Sequence, residues 1–104
     1  MKTTVRHEAD LDALGYFEYL SVRSPEAATR FLKAVDATVE ELAPQPGMGR
    51  IRRFRGRDLR DIRSWRVNGF ENYLIFYRWE GECLDILRIR HGAMRFAQAV
   101  RRAP

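Results

Sequence analysis

The arginines give this sequence its clearest chemical potential. Eight arginines and two aspartates fall between Arg50 and Arg66, a net charge of +6 within seventeen residues. A guanidinium forms paired hydrogen bonds to phosphate or carboxylate and stacks on planar rings. Phe54, Trp65, Tyr73 and Tyr77 supply ring faces of the kind that single-stranded nucleic-acid sites use. Arg50, Arg52, Arg53, Arg55, Arg57, Arg60 and Trp65 are therefore candidate binding residues, for a polyanion or equally for an acidic protein. A second group, Arg88, Arg90 and His91, closes a strand-like run. Strict alternation puts Arg88 and Arg90 on one face, with Leu87, Ile89 and His91 on the other. An arginine among apolar strand residues is costly unless paired. Arg88 is thus either a functional cation or one half of an ion pair with Asp61 or Asp85. Imidazole is the side chain most often used as a general acid or base, so His91 suits that role as well as that of a hydrogen-bonded structural residue.

Other chemistries lack their residues. Gly47-Met48-Gly49 has neither the spacing nor the following Lys of a phosphate loop, and no G-x-S-x-G surrounds Ser21 or Ser64. Asp10, Asp12 and Glu18 read as a solvated helix face rather than a paired-acid site. Cys83, His7 and His91 are too few and too scattered for zinc, so no metal and no cofactor is expected. A single cysteine excludes an internal disulfide framework and fits a reducing cytosol. No stretch reaches the roughly 18 apolar residues of a membrane span, and the first residues hold no apolar signal core. A cytoplasmic protein without a membrane partner is expected.

The elements that must position these groups follow from periodicity. Lys2 to Arg6 is β-branched and reads as a first strand. His7 opens a helix whose stripe includes Leu11, Leu14, Phe17 and Leu20; Gly15 within it is expected to let a neighbouring helix approach closely. Ser24-Pro25-Glu26 restarts a helix, with Ser24 as cap and Pro25 in the first position. Ala28, Phe31, Leu32, Val35, Val39 and Leu42 then recur at helical spacing until Pro44 and Pro46 intervene. Residues 44–58 read as a loop. Leu59 to Val67, Phe70 to Trp79 and Cys83 to His91 read as three strands joined by short turns, hence antiparallel. Ala93 to Arg102 reads as a short last helix. The 104 residues form one domain, 1–104, of class α+β. It is a helical hairpin packed on an antiparallel sheet, in the order β-α-α-β-β-β-α, with the first strand inserted or at an edge. The second face of the sheet is expected to be covered in part by the last helix or by a partner. Charge divides along the chain: residues 1–43 carry −3 and residues 44–104 carry +8, for a total of +5. Such asymmetry suggests a polyanionic or acidic partner.

The ordered set of pieces resembles a known family. Pro46-Gly47-Met48-Gly49 follows two helices; then come Leu59-Arg60, Val67-Asn68-Gly69-Phe70, Asn72 to Tyr77, and Ile86-Leu87-Arg88-Ile89-Arg90-His91-Gly92-Ala93. Together they resemble the ParE branch of the RelE/ParE toxins of bacterial toxin–antitoxin modules. The resemblance implies the same hairpin-on-sheet fold and a cytoplasmic toxin held inactive by a ParD-type antitoxin in a hetero-oligomeric complex. The antitoxin segment would lie in an apolar groove, for which Leu14, Phe17, Phe31 and Val35 are the candidates, and often add a strand. Family members of the ParE kind poison DNA gyrase by binding, without chemistry of their own.

RelE-type relatives instead cleave mRNA in the ribosome. On that alternative Arg60, Arg88 and His91 are the catalytic candidates. No Tyr follows Tyr77, Lys is nearly absent, and His91-Gly92-Ala93 looks more ParE-like. Met94 stands where ParE members often place an Arg, with Arg95 one position later as a further target-binding candidate. A third reading is a non-toxic basic module that binds nucleic acid directly, with steep salt dependence as its signature.

Overall fold

A computed structural model describes residues 1–92. The expected last helix and Arg95 lie outside the described residues. The chain forms β1 (Lys2–Val5), α1 (His7–Arg23), α2 (Pro25–Leu42), β2 (Arg50–Arg52), β3 (Ile62–Val67), β4 (Phe70–Glu80) and β5 (Cys83–His91), with single 3-10 turns at Pro46–Met48 and Arg57–Leu59. This is the α+β class expected, a helical hairpin on a sheet, with two refinements. The loop contains the short strand β2, and the sheet is mixed. Its order is β1-β5-β4-β3-β2. β1 lies at the edge and runs parallel to β5, while every other pairing is antiparallel. A parallel pair needs a long crossover, and the whole chain between β1 and β5 supplies it.

The hairpin forms because one residue serves both helices. Ser24 ends α1, and its hydroxyl accepts a hydrogen bond from the Ala27 N–H at the start of α2 (3.2 Å), with Pro25 in the first helical position. Gly15 does not mediate close packing, since a Cβ there would meet nothing within 4 Å. The hairpin covers one face of the sheet. Ala9, Phe31, Val35 and Leu42 pack there on Val67, Tyr73, Ile75, Tyr77, Leu84, Ile86 and Ile89. The other face is covered by the chain's own arginine-rich segment: Phe54 and Leu59 pack on Ile62, Leu74, Phe76 and Leu87.

A bulge in β5 overturns the simple alternation expected there. Tyr77 pairs with Ile86 but Phe76 pairs with Arg88, so one extra residue is inserted. Ile86 and Ile89, three apart, therefore both face the helices. Leu87 faces the opposite cluster, not the side of Ile89 and His91.

The Pro46–Gly49 turn is fixed by a single side chain. The fully buried Tyr77 donates from its hydroxyl to the Pro46 carbonyl (2.6 Å) and accepts from the Gly49 N–H (2.9 Å). Burial raises the Tyr77 phenol above its usual range, consistent with a proton held for that carbonyl. Gly49 is needed because a Cβ would sit 2.8 Å from the Tyr77 ring. Gly49→Ala should cost about 1–3 kcal/mol through this overpacking. A urea titration of the variant checks it, and an unchanged midpoint would remove the steric account.

Candidate functional site

Along β5 the edge left open by β1 is closed by α1. β1 pairs only as far as Ile86, where the Arg6 N–H donates to the Ile86 carbonyl (3.0 Å). Beyond that point the Ile89 N–H donates to the Asp12 carboxylate (3.0 Å), and the His91 N–H donates to the Tyr16 hydroxyl (3.1 Å). The spacing explains the match. Four residues along a helix rise about 6 Å. Two residues along a strand advance about 6.6 Å. Side chains at i and i+4 of α1 can therefore meet alternate amides of β5.

Asp12 also holds both arginines of that strand. Arg88 donates to its two oxygens at 2.7 and 2.9 Å, and Arg90 approaches at 3.5 Å. The Arg88 and Asp12 side chains are only 13% and 8% exposed. The hydrogen bond to Asp12 raises the Arg88 guanidinium above its ordinary value, against the opposing effect of burial. Asp12 is thus no solvated residue of the helix face. It is the partner of Arg88 in place of Asp61 or Asp85, and Asp85 instead faces Arg6 (3.4 Å). The sequence carries one trace of this: Asp12 and Tyr16 are polar-headed residues one turn apart at the border of the apolar stripe of α1.

Around this clamp lies a pocket of about 480 Å³, lined by Leu11, Asp12, Gly15, Tyr16, Tyr19, Tyr73, Arg90 and His91. The Tyr73 ring meets Tyr16 and Phe31 at 4.9 Å and His91 at 4.8 Å. Burial, then the neighbouring phenols of Tyr16 and Tyr19, raise the Tyr73 hydroxyl above its ordinary value. His91 is exposed, but Arg60 is not its neighbour. The Arg60 carbonyl accepts from Arg78 (3.0 Å), while His91 lies opposite Tyr73. Arg78 and Tyr73 are five residues apart on β4, roughly 16 Å. Arg60, Arg88 and His91 are therefore not brought together, and Arg88 is engaged by a carboxylate.

The arginine block divides by role. Arg52 donates to the Ser64 hydroxyl (2.7 Å), and burial, with Arg50 beside it, lowers its pKa. Arg63 donates to the Gly47 and Gly49 carbonyls (3.3 and 2.9 Å) and holds the turn together with Tyr77. Arg50, Arg53, Arg55, Arg57 and Arg60 are exposed. Trp65 is half-buried against the helix-side core, with the Arg66 guanidinium 4.7 Å from its ring centre. The exposed block is a basic surface built over the face of the sheet opposite the helices.

On the helix side a larger groove, about 740 Å³, runs between α1, α2 and β5. Leu14 and Val35 line it, with Leu32, Val39, Ile86 and Ile89. Of the other two groove candidates, Phe31 is fully buried in the aromatic cluster, and Phe17 is half-buried away from the lining. Among the described residues no group of three or more His, Cys, Asp or Glu could hold a metal ion, and no helix is long and apolar enough to cross a membrane.

Residues 2–96 match the family model for the ParE toxin of type II toxin–antitoxin systems, parDE. The chain belongs to the ParE toxin family. A solved structure of the chromosomal ParDE toxin–antitoxin system from P. aeruginosa is similar in fold, with a TM-score of 0.72 at 19% identity, covering 88% of this chain and 96% of that one. No curated protein matches the sequence. For a ParE-family toxin, the hairpin, mixed sheet and ordered motifs of the sequence therefore sit in the expected fold. The Pro46–Gly49 motif owes its form to Tyr77, and the Ile86–Gly92 motif to the α1 clamp.

Proposed function

We propose that this chain is a toxin that acts by binding DNA gyrase and is neutralised by a ParD-type antitoxin seated in the groove beside the helical hairpin. Family membership supports the toxin role and an antitoxin partner. The observation that carries the binding mode over a catalytic one is the Arg88–Asp12 pair. A cation that must stabilise a scissile phosphate is here occupied by a carboxylate, and Arg60 stands at the far end of the sheet from His91. The exposed arginines of residues 50–60 are the surface offered to the target, and electrostatic steering toward a gyrase–DNA complex follows from their charge.

Purified toxin added to a gyrase supercoiling assay should inhibit at stoichiometric ratios and lose that inhibition when antitoxin is added first. Normal supercoiling at saturating toxin would sink the gyrase reading. One observation favours a second reading: Tyr16, Tyr73, Arg90 and His91 converge on the 480 Å³ pocket, a mix of acid–base and cationic groups that an mRNA endonuclease requires. Primer extension on transcripts after induction separates the two, because cleavage that disappears in His91→Ala would support the nuclease.

A further inference from the structure

The groove beside the hairpin has a charge opposite in sign to the net charge of the chain. Its lining contains Asp10, Asp36 and Glu40, with His7, and neither arginine nor lysine, in a chain whose net charge is +5. Among the described residues, none of these three carboxylates has a cation within ion-pair distance. Their neighbours are apolar: Leu11 and Leu14, both about half exposed, stand at the rim, with Val35, Ile86 and Ile89 at the base. The stripe of α2 that lines the groove runs from Leu32 to Glu40, about 12 Å, or two turns of helix. Asp36 and Glu40 are one turn apart on it and stand about 6 Å from each other along the wall. Asp10 faces them from α1.

We propose that the segment seated in this groove is a cationic amphipathic stretch of the antitoxin, about two helical turns long. Its apolar side chains cover Leu14, Val35 and Ile89, and Lys or Arg residues one turn apart meet Asp36 and Glu40. This deepens, and rests on, the proposal that an antitoxin neutralises the chain. It departs from the expectation from net charge, which suggests a polyanionic or acidic partner. The helix-side groove and the arginine-covered face of the sheet have opposite signs, so one partner chain that reaches both must change sign along its length. Such patterning fixes the register and direction of the bound segment, because a reversed or shifted segment brings like charges together.

The test is titration of the toxin with its full-length cognate antitoxin. Asp36 and Glu40 are exposed, so substitutions there keep the fold, and a thermal melt verifies it. Asp36→Lys with Glu40→Lys should weaken binding at least about tenfold, and Asp36→Asn with Glu40→Gln should fall between the two. Raising the salt concentration should narrow the differences. Affinity unchanged within about twofold, or tighter binding by the Lys variant, overturns the cationic segment while leaving the antitoxin role intact. Absence of binding by the unsubstituted toxin overturns the antitoxin role itself, and the segment with it.

Discussion

Asp12→Ala should lower the stability of this chain by about 3–5 kcal/mol, the usual cost of removing one partner from a buried ion pair. The carboxylate is 8% exposed and receives the Arg88 guanidinium through two hydrogen bonds, Arg90 at 3.5 Å and the Ile89 N–H. Its removal leaves a mostly buried cation without its carboxylate and an edge amide without its acceptor. Both are losses of desolvated groups, which cost more than the bonds themselves contribute. Against a total stability of about 5–15 kcal/mol the loss is large, and a drop of more than about 10 °C in Tm is expected. Asp12→Asn keeps an oxygen for the Ile89 N–H but loses the charge, and should fall between the two. Chemical denaturation of the three proteins measures this. A loss below about 1 kcal/mol for Asp12→Ala would mean that water or another side chain replaces the carboxylate, and the clamp would not be what holds β5. The same substitution bears on function. If Arg88 were a catalytic cation restrained by Asp12, Asp12→Asn would release activity; on the binding reading it lowers potency only as far as it lowers stability.

Phe31→Ala should have a comparable effect on stability, about 3–5 kcal/mol, and Leu14→Asp hardly any. The sequence offers both as lining for one groove, yet the structure separates them. Phe31 is fully buried, edge-on to Tyr16 (6.2 Å) and Phe70 (5.3 Å) and 4.9 Å from Tyr73. Its loss opens a cavity at the centre of the aromatic cluster that supports β4 against the hairpin. Leu14 is 53% exposed at the groove rim, so a charge there meets water in the free toxin. The same charge should disrupt an apolar partner face. The expected pattern is a large fall in Tm with Phe31→Ala, and an unchanged Tm with lost antitoxin protection for Leu14→Asp. Equal effects of the two on antitoxin binding, after correction for the folded fraction, would contradict the division.

How far each feature was legible depends on the range of the interaction behind it. The two helices, their junction and strands β3, β4 and β5 follow from local signals: the 3.6-residue stripe on α2, Ser24-Pro25 at the junction, and β-branched and aromatic runs between glycine turns. Asn68-Gly69 and Gly81-Glu82 close the two hairpins, with both glycines at positive φ. β2 leaves no local signal, because three residues rich in arginine, Arg50 to Arg52, carry no apolar alternation. Only pairing with Arg63 and its neighbours makes them a strand. The β5 bulge was equally hidden, since inserting one residue changes no composition and yet changes which side chains share a face.

The sequence by itself determined the fold class, the hairpin and the family, because each rests on periodicity and on ordered short motifs that survive without knowledge of distant contacts. It also set the charge and placed the exposed arginines in one segment. Tertiary structure decided the use of individual charges. Asp12 lies 76 residues from Arg88 and their union depends on α1 lying along the edge of β5. Asp10, Asp36 and Glu40 line one groove only because the hairpin brings the first turn of α1 beside the C-terminal half of α2. Burial and pairing of a charge are set by what the fold packs against it, and packing partners distant in sequence leave no periodic signal.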